Sequence, residues 1–146
     1  PVKFDLHALL QATVAAYNGA WPDTQCVLQS ETGPLDLQGS PELIIQMLDK
    51  LADNAVDFSK SGDSITIRLD KVENRIRLAV SNPGPPLPQT MRSQLFDSMI
   101  SVRGRGTSEH LGLGLYIARL IAEGHGGSIR ADNTADGAIF VVELPA

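Results

Sequence analysis

The sequence has little that would mark a secreted, membrane-spanning or nucleic-acid-binding protein. It contains one cysteine, Cys26, which excludes an internal disulfide and suits a reducing compartment. No apolar run approaches the roughly 18 residues of a membrane helix, and the first residues lack the pattern of a secretory signal peptide. The 12 basic and 17 acidic residues give a net charge of −5 without a block of like charges, which disfavours nucleic-acid binding. We therefore expect a soluble, cytoplasmic segment that is not inserted in a membrane.

Aromatic residues are also scarce, at 5% of the sequence, whereas hydrophobic residues make up 42%. The core is therefore expected to consist of leucine, isoleucine, valine and alanine. A length of 146 residues suits one globular domain, and the sequence shows no internal repeat or low-complexity segment. The missing initiator methionine is typical of a fragment of a longer protein or of a processed N-terminus.

Apolar residues recur with helical spacing in three segments. The first, 6–17, ends before Gly19, because glycine favours the left-handed conformation that caps a helix. The second, 41–60, follows Ser40, which offers an N-cap oxygen, and begins with a proline that suits the first turn. The third extends over about 112–124 and closes in a glycine-rich stretch.

Alternation of apolar and polar residues predicts the strands. Short strands are expected at 26–28 and 35–37, and hairpins at 65–69 with 75–80 and at 128–131 with 138–144. Each amphipathic helix and each alternating strand has one apolar face to bury. The order of elements therefore predicts an α/β fold, a two-layer sandwich in which a mixed, mostly antiparallel sheet packs against about three helices.

Four polar residues form a stripe on the second predicted helix, at i, i+4, i+8 and i+11: Gln46, Lys50, Asn54 and Asp57. A solvated helix face would show the same pattern. Asn54, however, is a weak helix former at the edge of the apolar face, and its oxygen could bind a hard cation such as Mg²⁺. Lys50 could meet a phosphate, or it could pair with Asp53 or Asp57 on its own helix.

The segment 82–88 follows a predicted strand and contains four prolines and a glycine. Neither a helix nor a sheet ladder is expected to continue through it. It could be a rigid connector. Alternatively, Gly84 lets the backbone approach a flat ligand, while Asn82 hydrogen-bonds the edge of that ligand.

The third predicted helix begins with two glycines, Gly112 and Gly114, although glycine is a poor helix former. Close packing against a neighbouring element could explain them. A phosphate bound by the exposed backbone N–H groups of the first turn would explain them as well. The preceding segment, 98–111, is rich in glycine and polar residues, lacks periodicity and contains Arg103 and Arg105, so we expect a mobile loop there.

The order and spacing of these segments resemble a known family over essentially the whole chain. The segments LADNAVDFS, NPGPPLP, LFDSM and GLGLYIARLIAEGHGG are together similar to the ATP-binding catalytic domain of sensor histidine kinases. That domain has the Bergerat-type ATP-binding fold of the gyrase, chaperone, histidine kinase and mismatch-repair ATPase superfamily. The loops NPGPPLP and LFDSMISVR also resemble those of proteobacterial sensor kinases linked to sortase systems.

The resemblance implies a role for each motif. Asn54 corresponds to the asparagine that binds Mg²⁺, and Asn82 with Gly84 corresponds to the adenine-binding motif. The segment 98–111 corresponds to the ATP lid. Further residues that the resemblance places at the nucleotide lie in the stripe, near the lid and at the start of the third helix: Lys50, Asp57, Phe96, Arg103, Arg105, Leu111, Gly112, Leu113 and Gly114.

Four positions depart from the family's pattern. Lys50 replaces an asparagine, Pro86 replaces a glycine, and His110 stands where another glycine is common. Asn82 replaces the aspartate that accepts a charge-assisted hydrogen bond from adenine; an asparagine offers a neutral acceptor together with an NH₂ donor. We expect this replacement to weaken nucleotide binding by about 1–2 kcal/mol unless another contact compensates.

The resemblance implies that the domain binds Mg·ATP and donates the γ-phosphate to a histidine on a separate dimerisation domain, for relay to a response regulator. Neither His7 nor His125 has the setting of a phosphoryl acceptor. The full-length protein would be a homodimeric inner-membrane sensor kinase of a bacterium, with this domain in the cytoplasm. Two alternatives keep the same fold: a degenerate nucleotide-sensing or protein-interaction module without transfer activity, and an anti-sigma-factor serine kinase.

Overall fold

The computed structural model describes residues 1–60, 62–87 and 109–146, and for 109–112 it describes the backbone alone. Within these residues, the helices are α1 (Leu6–Ala20), α2 (Pro41–Phe58) and α3 (Glu109–Gly124). The strands are β1 (Val2–Asp5), β2 (Gln25–Ser30), β3 (Asp36–Gly39), β4 (Ser64–Val72), β5 (Arg75–Pro83), β6 (Ser128–Asn133) and β7 (Gly137–Pro145).

Five of these strands form one sheet in the order β2-β4-β5-β7-β6. β2 runs parallel to β4, and all other neighbours are antiparallel, so the sheet is mixed. β1 and β3 form a separate antiparallel pair, in which Val2 lies opposite Gly39. The predicted sandwich of a mixed, mostly antiparallel sheet and three helices is confirmed for the described part of the chain.

One face of the five-stranded sheet packs against the helices. Along β5, the alternate residues Ile76, Leu78 and Val80 are fully buried, because successive side chains of a strand point to opposite faces. α2 buries an apolar stripe against this face. Its fully buried members are Ile44, Met47, Leu48, Leu51, Ala52 and Ala55. The core is therefore aliphatic, as the composition predicts.

Several element boundaries correct the prediction. The chain begins in a strand, β1, that pairs with β3; four residues are too few to show an alternating pattern. β2 and β3, which were expected around one turn, join different sheets. β5 continues through Asn82 to Pro83 because β7 pairs with both residues. α3 begins at Glu109 rather than near Gly112, so both glycines lie inside the helix.

His125 connects the end of α3 to the beginning of α2. Its Nε2 accepts a hydrogen bond from the backbone N–H of Ser40 at 3.1 Å, and its Nδ1 donates to the carbonyl oxygen of Ile121 at 2.8 Å. Ser40 is also the N-cap of α2, where its hydroxyl oxygen accepts from Leu43 N–H at 3.2 Å. The imidazole thus links the C-terminal end of α3 to the N-terminal end of α2.

We expect His125→Ala to lower the free energy of unfolding by about 1–3 kcal/mol, because the N–H of Ser40 loses its partner and the ring leaves a gap. Urea denaturation measures this change. His7→Ala is the control, since no hydrogen bond of the His7 side chain occurs among the described residues; it is expected to stay within about 0.5 kcal/mol of the parent. Equal effects of the two substitutions would contradict the bridging role.

Candidate functional site

A cavity of about 320 Å³ lies between the C-terminal half of α2 and the first turns of α3. It brings together residues that are distant in sequence. Its lining consists of Trp21, Lys50, Asp53, Asn54, Val56, Asp57, Leu113 and Gly114. Five of these were predicted as site residues, namely Lys50, Asn54, Asp57, Leu113 and Gly114. Three of the four stripe residues, Lys50, Asn54 and Asp57, therefore face the start of α3 across a cavity, whereas Gln46 does not line it.

Asn54 is the most deeply buried polar residue of this cavity, with 4% of its surface exposed. Its Nδ2 is enclosed and has no hydrogen-bond partner among the described residues. Buried polar groups are normally satisfied, so an unpaired amide costs free energy that packing alone does not justify. Since Nδ2 is on the enclosed side, Oδ1 is the end of the amide that can reach the cavity.

The donor set of the cavity fits Mg²⁺. The Asn54 oxygen and the carboxylates of Asp53 and Asp57 are oxygen ligands, which this cation prefers. Within the described residues, no group of three or more histidine, cysteine, aspartate or glutamate side chains could hold a metal ion. Mg²⁺ commonly completes its coordination with water molecules and with the phosphate oxygens of a substrate.

Carboxylates crowd the α2 side of the cavity. Burial raises the pKa of Asp53 above its usual value, and the nearby charges of Asp49 and Asp57 raise it further, while Lys50 partly offsets them. Asp49 is engaged elsewhere, because its Oδ1 accepts a hydrogen bond from the Tyr17 hydroxyl at 2.6 Å. This wall is electronegative and favours a cation over a free anion.

Lys50 lies against the start of α3. A β-carbon on Gly114 would lie 3.6 Å from Lys50 Cδ, an ordinary van der Waals distance, so the lysine stem packs beside this residue of α3. Among the described residues, the Lys50 ammonium forms no ion pair within 4.0 Å, including with Asp53 or Asp57. Its charge therefore remains available to a ligand at the first turn of α3.

Asn82 and Gly84 lie at the end of β5 and do not line the Asn54 cavity. Asn82 is 5% exposed and continues the buried, helix-facing side of β5. Its Nδ2 donates to the Pro83 carbonyl oxygen at 2.9 Å, and its Oδ1 is buried without a partner in the part of the chain that the structure describes. Gly84 has a positive φ of 149°, and a β-carbon there would come within 3.1 Å of the Phe58 carbonyl oxygen. This loop therefore meets the C-terminal end of α2, close to the Asn54 cavity.

The remaining predicted site residues lie outside the described residues or have no described side chain. Phe96, Arg103, Arg105 and the predicted lid up to residue 108 belong to the first group. Leu111 and Gly112 belong to the second; they lie in the first turn of α3, whose leading N–H groups have no partner within the helix.

Trp21 is a cavity residue that the sequence analysis did not predict. Its ring stacks on Tyr17 with centroids 4.8 Å apart, and this contact places the end of α1 beside the C-terminal half of α2. Asp53 and Val56 were also missed. Asp53 precedes Asn54 directly, so its position next to the predicted metal ligand was the available signal; no such signal existed for Trp21.

The fold matches that of solved histidine kinase structures. The catalytic domain of histidine kinase ThkA has the same fold, with a TM-score of 0.86 and 26% identity over 99% of this chain and 94% of that chain. A structure of histidine kinase ThkA in complex with the response regulator protein TrrA also matches in fold, with a TM-score of 0.81 and 22% identity over 99% of this chain and 41% of that chain.

Residues 39–146 match the model of the family described as histidine kinase-, DNA gyrase B-, and HSP90-like ATPase, and the chain belongs to this family. A curated relative is the adaptive-response sensory kinase SasA of Microcystis aeruginosa, with 27% identity over 98% of this chain and 38% of that relative. The chain spans well under half the length of the curated relatives it matches first. The predicted family is confirmed, and ATP is the nucleotide that it implies.

None of the helices in the described residues is long and apolar enough to cross a membrane.

Proposed function

We propose that this domain binds Mg·ATP between α2 and α3 and supplies the γ-phosphate to a histidine on a separate dimerisation domain of a sensor kinase. The observation that carries the proposal is Asn54, a buried amide without a partner that lines a cavity against a helix start containing glycine. In this proposal, the Asn54 oxygen binds Mg²⁺, and the backbone N–H groups of residues 109–112 together with Lys50 bind the phosphates.

These residues act by positioning and by neutralising charge. No histidine is among the described residues that line the cavity, and phosphoryl transfer needs no nucleophile from the domain that holds the nucleotide. Mg²⁺ would supply charge neutralisation at the phosphate oxygens. Asn82 with Gly84 would contact adenine, and Asp57, Leu111 and Leu113 would border the nucleotide. Phe96, Arg103 and Arg105, outside the described residues, stay proposed contacts from the family resemblance.

The further partners are proposed at the level of the whole protein. ThkA has been crystallised with a response regulator. We propose that the full-length protein to which this domain belongs also binds a response regulator. We also propose a homodimer that is anchored in the bacterial inner membrane, with this domain in the cytoplasm. Both proposals rest on the family and on the sensory kinase among the relatives.

Isothermal titration of the domain with ATP and ADP, with and without Mg²⁺, tests the binding step. Radiolabelled ATP, added with the dimerisation domain of the same protein, tests the transfer step, and label is expected on a histidine of that domain. Absence of binding at millimolar nucleotide would contradict the proposal. Binding without transfer would favour the nucleotide-sensing module, and acid-stable label on a serine would favour the serine kinase.

Lys50→Met is expected to weaken ATP binding by about tenfold, because a charge-assisted contact to a phosphate is lost. The loss should decrease from ATP to ADP to AMP and vanish for adenosine, since the ammonium meets only phosphate. Titrations with these four ligands measure it. Lys71→Met, an exposed lysine in β4, is the control and should leave all four affinities unchanged. An equal loss for ATP and adenosine would show that Lys50 shapes the cavity without binding phosphate.

A further inference from the structure

The loop that follows β5, residues 84–87, is tied to the turn between β6 and β7, residues 133–137. Its sequence is Gly-Pro-Pro-Leu, and because proline has no backbone N–H, only Gly84 and Leu87 can donate from the main chain. The Gly84 N–H donates to the Asp136 carbonyl oxygen at 2.9 Å, and the Leu87 N–H donates to Oδ1 of Asn133 at 2.7 Å. The turn therefore holds the loop at both of its ends.

The side chain of Asn133 pairs with Leu87 as a neighbouring strand would. Its Oδ1 accepts from the Leu87 N–H, and its Nδ2 donates to the Leu87 carbonyl oxygen at 2.9 Å. A main-chain ladder cannot continue past β5, because two consecutive prolines lack the N–H groups that it needs. An asparagine amide offers a donor and an acceptor, as a peptide group does. This one side chain therefore takes the place of the ladder that the prolines prevent.

The tied loop lies on the side of the sheet that the helices cover. Asn133 and Asn82 lie opposite the same residue of β7, so their side chains share one face of the sheet. Leu87 packs against the hydrophobic core. At the other end of the loop, a β-carbon on Gly84 would lie 3.1 Å from the carbonyl oxygen of Phe58, the last residue of α2. The position of the loop therefore sets its distance from the C-terminal end of α2.

We infer that Asn133 is a positioning residue for the nucleotide, because it fixes the loop 84–87 at the adenine end of the site. The inference rests on the proposed function, in which Asn82 and Gly84 contact adenine. Without the Asn133 amide, the loop keeps its anchor at Gly84, and its prolines have no N–H with which to form another. The loop would then have to be ordered when the nucleotide binds, and this ordering lowers the affinity. In the intact domain, the loop is ordered before binding.

Isothermal titration of Asn133→Ala with ATP, ADP and AMP, in the presence of Mg²⁺, tests this role. We expect each nucleotide to bind about five- to tenfold more weakly than it binds to the wild-type domain. The factor should be the same for all three, because the loop lies at the adenine end of the site and the phosphates lie at α3. A residue that serves only stability would leave the affinities unchanged at a temperature at which the variant is folded.

Asn18→Ala is the matched control, because Asn18 forms the same pair of hydrogen bonds with the backbone of Cys26, at 2.9 and 2.8 Å. That pair joins α1 to β2 and involves neither the loop nor the β6–β7 turn. Asn18→Ala should lower the urea midpoint of unfolding, as Asn133→Ala does. It should leave the affinities for ATP, ADP and AMP unchanged.

Amide hydrogen exchange at Leu87 gives a test that needs no variant. In the wild-type domain, the Leu87 N–H should exchange more slowly than in an unstructured peptide, because Asn133 holds it. Saturating ADP should slow this exchange further, since a nucleotide that contacts the loop opposes its local opening. In Asn133→Ala without nucleotide, exchange at Leu87 should be at least about tenfold faster than in the wild-type domain.

The possible outcomes distinguish the role of Asn133 from the proposed function. If the wild-type domain binds none of the three nucleotides, the proposed function fails and the role of Asn133 fails with it. If the wild-type domain binds them and Asn133→Ala binds them equally well, the proposed function stands and the inference is overturned. A loss that decreases from ATP to AMP would place the effect at the phosphates and would also overturn it. If Asn133→Ala is unfolded, wild-type exchange at Leu87 that saturating ADP does not change overturns the inference.

Discussion

Asn54→Ala is expected to weaken Mg·ATP binding by at least about tenfold and to leave metal-free ATP binding nearly unchanged. The substitution removes the amide oxygen that we assign to Mg²⁺, whereas the phosphate contacts of Lys50 and the α3 backbone remain. Isothermal titration with and without Mg²⁺ measures both affinities. An equal loss in the two conditions would mean that Asn54 supports the fold of the cavity and does not bind the metal.

The same substitution should not reduce stability, because Nδ2 of Asn54 is buried without a partner in the unliganded domain. Removing an unsatisfied amide relieves its desolvation cost, so the free energy of unfolding is expected to stay the same or to rise by up to about 1 kcal/mol. Asn18→Ala is the matched control. Asn18 donates to the Cys26 carbonyl at 2.9 Å and accepts from the Cys26 N–H at 2.8 Å. Asn18→Ala should lower the free energy of unfolding and should leave the Mg²⁺ dependence of ATP binding unchanged.

Gly137→Ala is expected to lower the free energy of unfolding by about 3 kcal/mol, through overpacking against backbone that cannot move aside. A β-carbon at residue 137 would overlap the Asn82 carbonyl oxygen and would lie 2.7 Å from Pro83 Cα. The strand pair β5–β7 must separate locally to admit it. Since Asn82 and Pro83 shift as a result, ATP affinity should also fall when measured well below the unfolding temperature.

Urea denaturation of Gly137→Ala and of Gly33→Ala tests this prediction. A β-carbon on Gly33 would meet nothing within 4 Å, so that variant should stay within about 0.5 kcal/mol of the parent. If the two substitutions have the same effect, the close approach of β7 to Asn82 is unimportant for stability. If Gly137→Ala is destabilised yet keeps its full ATP affinity, the adenine contact does not depend on the β5–β7 ladder.

Local patterns predicted the helices and the central hairpins, because the residues that determine them lie within one or two turns of the chain. α2 is the clearest case, with an N-cap serine, a first-turn proline and an apolar stripe that all agree. The pairing of the strands was harder to predict from the sequence. β2 pairs in parallel with β4, and β1 pairs with β3; neither partner is set by a short turn, so the sequence alone did not identify them.

In the candidate site, too, local sequence predicted some residues, whereas contacts between distant elements were not predicted. Asn54 was predicted because its residue type is unusual at the edge of an apolar helix face, and its burial without a partner supports a ligand role. Trp21 was missed because it reaches the cavity through a ring contact with Tyr17 and a helix crossing. The sequence shows that Asn82 offers both a hydrogen-bond acceptor and a donor. That its Nδ2 donates to the carbonyl oxygen of the next residue is visible only in the structure.

The position of β7 has a consequence for synthesis on the ribosome. β7 follows every other described strand in the chain, yet it lies between β5 and β6 and contacts both. Until β7 has left the exit tunnel, β5 offers an unpaired edge next to the buried Asn82, and such edges promote association between nascent chains. The pairing of Asn82 and Pro83 with β7 is therefore completed only after α2 and α3 have been made.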